Sequence, residues 1–263
     1  MKLISRYLRI HIENLPQMDF LGLYLITRAM MEIYKKYLEE VSKTSLFQGI
    51  ETDDLLTMLN CLKPRVCAYN RHDYIVTGGD AYESVGILLN GAATVSKENA
   101  KGNRIVMTRL KQGDIFGEII AFSRQMTWPA TVQAQEPCVV LFLPRGKIVG
   151  ECDRMCSCHR TLIQNFLRVI SERAMMLNKK VEYLTIKSMR GKICTYFLEQ
   201  YFKEGTASIT LTLNRNELSD FLNVSRPSMS REMGKMRDEE IIDYHLTTVK
   251  ILDIERLKHM SAL

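Results

Sequence analysis

Ser225, Arg226, Pro227, Ser228, Ser230, Arg231 and Lys235 fall within the run SRPSMSREMGK. These side chains suit a phosphate-bearing duplex. The fork of an arginine meets O6 and N7 of guanine together, a contact worth ~1–3 kcal/mol of discrimination. Serine hydroxyls and the open N–H groups at a helix start suit phosphate oxygens. The plain alternative is a solvated basic face on an ordinary helix pair. A second cluster, CDRMCSCHR, places Cys152, Cys156, Cys158 and His159 close together. Three thiols and an imidazole have the chemistry for zinc, an iron–sulfur cluster or a redox pair. Their spacing differs from the usual Cys-x2-Cys knuckle, and unliganded thiols are the plainer reading. The five histidines, His11, His72, His159, His245 and His259, contain no His-x-His pair. A cupin-like metal enzyme, the distant alternative for a β-barrel, therefore lacks its ligands.

The basic run must be held by what surrounds it. In NELSDFLNVSRPSMSREM, Leu218, Phe221 and Leu222 form one apolar stripe on a helix over 215–222. Ser219 is small where two helices cross. Asn223 tolerates the left-handed conformation that ends a helix, and Val224 plugs the corner. Ser225 is a good N-cap and Pro227 fits the first turn of a second helix. That helix buries Met229, Met233 and Met236. The basic and hydroxyl residues remain outside, the geometry of a helix-turn-helix whose second helix enters the major groove N-terminus first. A following strand–turn–strand over 241–252 supplies a wing, and a short helix closes the chain.

The chain has 263 residues, 46% hydrophobic, with a formal net charge of +6. It can bury a substantial core, and its charge permits an anionic partner without requiring one. Seven cysteines and no convincing signal peptide suggest a reducing cytoplasm. Residues 1–30 read as a peripheral extension or a mis-assigned start, and DFLGLYLITRAMM is too short to span a bilayer. A helix is expected from Met31 to residue 43, and another over Thr52–Leu62 with Thr52 as its cap. From Pro64 the texture changes to short β-rich runs separated by Gly78-Gly79-Asp80, Asn90-Gly91 and Lys101-Gly102-Asn103, the pattern of a barrel or jelly roll. Beyond Arg145 it becomes helical. Ile163, Leu167, Ile170, Ala174, Leu177, Val181 and Leu184 are spaced alternately by four and three. This seam, on a helix of roughly 24 residues and ~36 Å, wants a partner helix. A homodimeric coiled coil is expected, with packing inside its own chain as the alternative. A further helix over Ile186–Phe202 and a short strand lead into the helix-turn-helix.

Barrel, long helix and winged helix-turn-helix, in that order, resemble the Crp/Fnr superfamily of bacterial transcription regulators over residues 31–263. The resemblance is carried by GILLNGAATV with Gly86 and Gly91, by Gly102, by LKQGDIFGE ending in Gly117 and Glu118, and by the whole helix-turn-helix motif. It implies an α+β chain: a β-roll or jelly-roll sensor barrel over 31–150, a linker and dimerisation helix over 151–186, and a winged helix-turn-helix over 187–263. It also implies a homodimer on a near-palindromic duplex operator, with RNA polymerase as a further partner, no membrane association and no catalysis. DNA binding needs no cofactor. Arg226, Pro227, Ser228, Ser230 and Arg231 fall where the family places base-contacting side chains. Pro227 departs from the glutamate common there and cannot accept a hydrogen bond from cytosine.

In cyclic-nucleotide-binding relatives, a cassette beginning Gly-Glu holds the ligand. Gly117 and Glu118 match it, Glu118 at the acid that holds the ribose hydroxyl. The family's phosphate-binding arginine falls at Trp128 and its hydroxyl partner at Pro129. A cyclic phosphate would lose its charge partner in a partly buried site, a loss of several kcal/mol, unless Arg124 compensates. Cyclic AMP or GMP is therefore not the expected effector. An exposed face of Trp128 would instead stack on an apolar one, unless the indole simply fills the barrel mouth. The alternative sensor is the Cys152, Cys156, Cys158 and His159 cluster, acting through redox change or metal.

Overall fold

The structure, a computed structural model, describes residues 20–81, 83–98, 104–125, 127–150 and 157–261. It divides into two compact units, residues 1–171 and 172–263.

Among the described residues, the first unit opens with α1 (Phe20–Lys36) and the short α2 (Leu38–Ser42), parted at Tyr37. The helix expected from Met31 thus starts earlier and breaks before residue 43. Tyr34 is buried and its Oη donates to the Pro64 carbonyl at 2.9 Å, tying α1 to the start of the barrel. The third helix, α3 (Thr52–Leu62), buries Leu55, Met58, Leu59 and Leu62. Its N-cap is Glu51 and not Thr52, which is the first helical residue. The expected cap was one position late because the acids at Asp53 and Asp54 favour a helix start without fixing its register. Lys63 ends α3 in the left-handed conformation, φ 47°, and Pro64 follows.

Among the described residues, eight strands build two four-stranded antiparallel sheets. One is ordered β1 (Arg65–Tyr69), β8 (Cys138–Pro144), β3 (Ser84–Asn90), β6 (Ile115–Phe116). The other is ordered β2 (Tyr74–Val76), β7 (Thr131–Ala134), β4 (Ala93–Glu98), β5 (Arg104–Leu110). Two-residue alternation sends β3 and β8 to two different cores. Val85, Ile87, Leu89, Leu141 and Leu143 pack with the helices. Leu88, Val140 and Phe142 join Tyr69, Phe116, Trp128 and Val132 between the sheets. Burial on both faces explains why SVGILLN and CVVLFLP read as near-continuous apolar runs. Gly86 has no freedom to be larger, since a Cβ there would lie 2.2 Å from the Phe116 ring. The turn at Gly91 has φ 84° and that at Gly79 has φ 95°, as their positions between strands demand. The Gly102 turn lies outside the described residues.

Between the strands sit α4 (Glu118–Ala121), just before the Trp128 segment, and α5 (Arg145–Val149) after β8. The long helix α6 (Ser157–Thr185) has 29 residues, longer than the 24 expected. Its first turns bury Leu162, Phe166 and Val169 in the helical core of the first unit. Asn165, also buried, donates to the Leu46 and Gln48 carbonyls at 3.0 and 2.8 Å.

The second unit contains the end of α6, then α7 (Met189–Glu204), β9 (Ser208–Thr210), α8 (Arg215–Leu222), α9 (Arg226–Asp238), β10 (Ile242–His245), β11 (Thr248–Ile251) and α10 (Ile254–Met260). The expected start of α7 at Ile186 moves to Met189, because Ser188 caps it and accepts from the Gly191 N–H. The three strands form one sheet, ordered β10-β11-β9. One core joins Tyr183, Phe197, Leu198, Leu218, Leu222, the three methionines of α9, Val249 and Leu257.

Candidate nucleic-acid interface

The corner at Asn223 has the expected construction. Asn214 caps α8 through a capping box with Glu217. Leu218 and Leu222 are buried and Phe221 is half-buried. Asn223 is left-handed at φ 52°, ψ 55°, and its N–H and that of Val224 return to the last turn of α8. Ser225 caps α9, and Pro227 stands in the first turn where its missing N–H costs nothing. Met229, Met233 and Met236 are each at most 1% exposed.

The opposite face carries the chemistry. Ser225, Arg226, Pro227, Ser230, Arg231 and Lys235 are exposed and Ser228 is half-buried. The Ser225 hydroxyl accepts from the Ser228 N–H at 3.3 Å and donates to Ser228 Oγ at 2.7 Å. Arg231 Nη2 donates to the same Ser228 oxygen at 3.2 Å. A chain of hydroxyls thus steadies the guanidinium beside the helix start. Ser188, Met189 and Arg190 from the start of α7 join Ser228, Arg231, Glu232 and Lys235 around a cavity of about 570 Å³. Hydroxyls and cations, together with the Glu232 carboxylate, wall this groove.

Two supports were not legible in the sequence. The Tyr244 ring on the wing lies against Arg215 at 4.9 Å and Arg237 at 5.5 Å, so cation–π contacts tie the wing to both helices. Burial lowers the pKa of Arg215, but an arginine remains cationic at neutral pH. Arg190 meanwhile binds Glu232 on α9 and Glu239 at its C-cap.

The seam positions of α6 are largely bare in this chain. Leu167, Leu177, Val181 and Leu184 are 60, 64, 52 and 50% exposed. Ala174 is exposed too, while Ile163 and Ile170 are half-buried. The helix therefore has a second, separate apolar stripe: Leu162, Phe166 and Val169 face its own core.

In the barrel, Gly117 is left-handed at φ 82° and caps α4. Glu118 is 3% exposed. Trp128 is 6% exposed, against the expectation of an open stacking face. Its ring meets Phe116 edge-on at 6.3 Å, and Phe116 meets Phe142 at 6.2 Å. The indole is covered because it joins the core between the sheets, with the Phe116 ring of β6 against it. Arg124 is exposed. An apolar cavity of about 380 Å³ is lined by Glu118, Ile119, Phe122, Val149, Phe166 and Leu167 among others, but not by Arg124 or Trp128. The four expected pocket residues are not brought together around it.

Of the cysteine cluster, Cys152 and Cys156 lie outside the described residues. Cys158 is half-buried, and buried His159 has Nε2 3.0 Å from the Lys147 carbonyl. Among the described residues no group of three His, Cys, Asp or Glu is placed to hold a metal, and no helix is long and apolar enough to cross a membrane.

A strand sandwich followed by a helix-turn-helix with a wing defines a DNA-binding transcription regulator with a separate sensor-type domain. The family models agree. Residues 66–154 match the cyclic nucleotide-binding domain and 191–260 the Crp-like helix-turn-helix domain. The chain belongs to the Crp/Fnr superfamily. It is 19% identical over 187 residues to the cAMP-activated global transcriptional regulator CRP of Pasteurella multocida, covering 70% of this chain and 88% of that protein. It is 21% identical over 225 residues to the CRP-like cAMP-activated global transcriptional regulator of Mycobacterium tuberculosis, covering 83% and 97%. The fold is similar to that of OCPA-complexed CprK, at 16% identity and TM-score 0.54 over 78% of this chain and 93% of that one. These curated relatives are transcriptional regulators, not enzymes.

Proposed function

We propose that the chain acts as a homodimer that reads a near-palindromic duplex operator in the cytoplasm, engages RNA polymerase there, and responds to an effector other than a cyclic nucleotide. The observation that carries the reading is the division of α9 into a buried methionine face and an exposed face bearing Arg226, Ser230, Arg231 and Lys235. The bare seam on α6 supports a symmetric pair, since an isologous contact buries the same patch twice. Two recognition helices delivered by such a pair match two half-sites.

The relatives are cAMP-activated by name. In this chain the position of the phosphate-binding arginine is Trp128, and its indole is buried with the Phe116 ring against it. A cyclic phosphate would meet an aromatic wall in place of a guanidinium, so its desolvation goes uncompensated. Glu118, buried at the start of α4, retains the acid of the cassette.

The test is a duplex-binding titration across salt with wild type and Leu177→Lys. Wild-type affinity falls steeply with salt, with a slope of about −0.9 per phosphate contacted. Leu177→Lys sediments as a monomer and loses operator affinity while its helix-turn-helix stays folded. A wild-type protein that ignores every genomic fragment, or a Leu177→Lys variant that stays dimeric and tight, overturns the reading. Calorimetry with cyclic AMP shows no micromolar binding; a tight isotherm removes the effector claim alone.

A further inference from the structure

We infer that Arg190 is a positioning residue for DNA recognition that masks the carboxylates of Glu232 and Glu239 from the phosphate backbone. The inference rests on the DNA-binding reading above. Arg190 stands in the first turn of α7, outside the helix-turn-helix motif. Its Nε donates to Glu232 Oε1 at 2.6 Å. Its Nη1 and Nη2 donate to the two oxygens of Glu239 at 2.7 and 2.8 Å. One guanidinium thus holds two carboxylates of the recognition-helix segment, one in a bidentate fork, the strongest geometry open to such a pair. The Glu239 carboxyl is held below the usual carboxylate range, first by its hydrogen bond to Arg190.

The location gives the pairing its consequence. Glu232 follows Arg231 directly and lines the same cavity as Ser228, Arg231 and Lys235. A phosphate entering that cavity would meet a carboxylate, and like charges brought together suppress association. Lys235 lies 3.8 Å from Glu232 Oε2, too far for a strong hydrogen bond. Without Arg190, that lysine would be drawn to its own helix neighbour instead of to DNA. With Arg190 in place, the side chain of Glu232 is 19% exposed and closely hydrogen-bonded, and Lys235, only its longer ion-pair partner, keeps 68% of its side chain exposed. The end of α9 is held on its other side by Arg256, whose Nη1 donates to the Glu239 carbonyl at 2.9 Å. The orientation of α9 therefore has a support that survives loss of Arg190, and the charge effect can be separated from it.

The experiment measures duplex affinity and its salt slope for full-length wild type, Arg190→Gln, Glu232→Gln, and the triple variant Arg190→Gln with Glu232→Gln and Glu239→Gln. Arg190→Gln is expected to weaken specific and random duplexes alike, roughly tenfold at low salt, because Glu232, having lost its close partner, now presents its charge to phosphate in the cavity it lines. The triple variant recovers to within about threefold of wild type, as members of one network couple. Glu232→Gln alone binds at least as tightly as wild type. A triple variant as weak as Arg190→Gln overturns the inference. If its slope has also fallen by about 0.9, Arg190 is itself a phosphate ligand. Should Arg190→Gln not fold by circular dichroism, Glu232→Gln decides: a loss of about tenfold or more overturns masking, since a neutral side chain has no charge to mask. Failure of wild type to bind any duplex counts against the DNA-binding reading instead.

Discussion

In the helix-turn-helix, Arg226, Ser230 and Arg231 stand exposed above a floor of Met229, Met233 and Met236, whereas in the barrel Glu118 and Trp128 are themselves part of the floor. A surface that reads a duplex keeps its chemistry outside and needs a rigid base beneath it. A sensor that encloses something keeps its chemistry inside, where each polar or aromatic group also serves packing. Substitutions should therefore separate stability from binding in one region and entangle them in the other.

The largest effect expected from that contrast is at Trp128. Trp128→Ala removes an indole packed between two sheets and should cost ~3–5 kcal/mol, the range for large aromatic truncations in a core. Denaturant unfolding measures it. A variant as stable as wild type would break the comparison, because the indole would then be a ligand surface and not a filler. The same substitution should create no affinity for cyclic AMP, since removing the ring supplies no cation.

Arg231→Ala tests the other side. Its guanidinium is exposed and bonded only lightly to Ser228, so stability should change by no more than about 0.5 kcal/mol. Discrimination should fall by ~1–3 kcal/mol at one base pair in each half-site. Competition against single-base operator variants reads this directly. Lys235→Ala should instead weaken all sequences alike and flatten the salt slope. Identical behaviour of the two variants on specific and random DNA would dissolve the assigned division of labour.

The contrast also explains what the sequence made legible. The corner at 223–227 was readable because Asn223, Ser225 and Pro227 each answer a local backbone requirement, and because helical periodicity sorts a single short window into two faces. The β-roll was readable from its turns, such as Gly79 and Gly91, and from its two-sided apolar strands. Local signals fail where partners are distant. Arg190 meets Glu232 and Glu239 from 42 and 49 positions away, and only the packing of α7 against α9 brings them together. The burial of Trp128 depends likewise on the Phe116 ring of β6 and on the core between the sheets. The break of the first helix at Tyr37 has neither proline nor glycine to announce it. On α6, the alternating four-and-three spacing marks one apolar stripe and leaves the other, Leu162–Phe166–Val169, unmarked. Two stripes on one helix blur a single periodicity, and only burial tells the inward one from the bare one.

The smallest expected effect is also the one that separates the two roles within a single residue. Ser225 accepts the Ser228 N–H and feeds the hydroxyl chain that steadies Arg231. Ser225→Ala should cost about 1 kcal/mol of stability through the lost cap, together with a modest loss of affinity as the Arg231 fork loosens. Ser225→Asp keeps a competent cap and places a negative charge at the positive end of the helix dipole, so stability should equal or exceed that of wild type. The same charge now faces phosphate, and duplex binding should fall steeply at low salt and converge toward wild type as salt screens it. Thermal melts and salt-dependent titrations on the same samples give both quantities. A Ser225→Asp variant that binds DNA as tightly as wild type would place the phosphate contact away from the start of α9, and with it the whole orientation of the reading face.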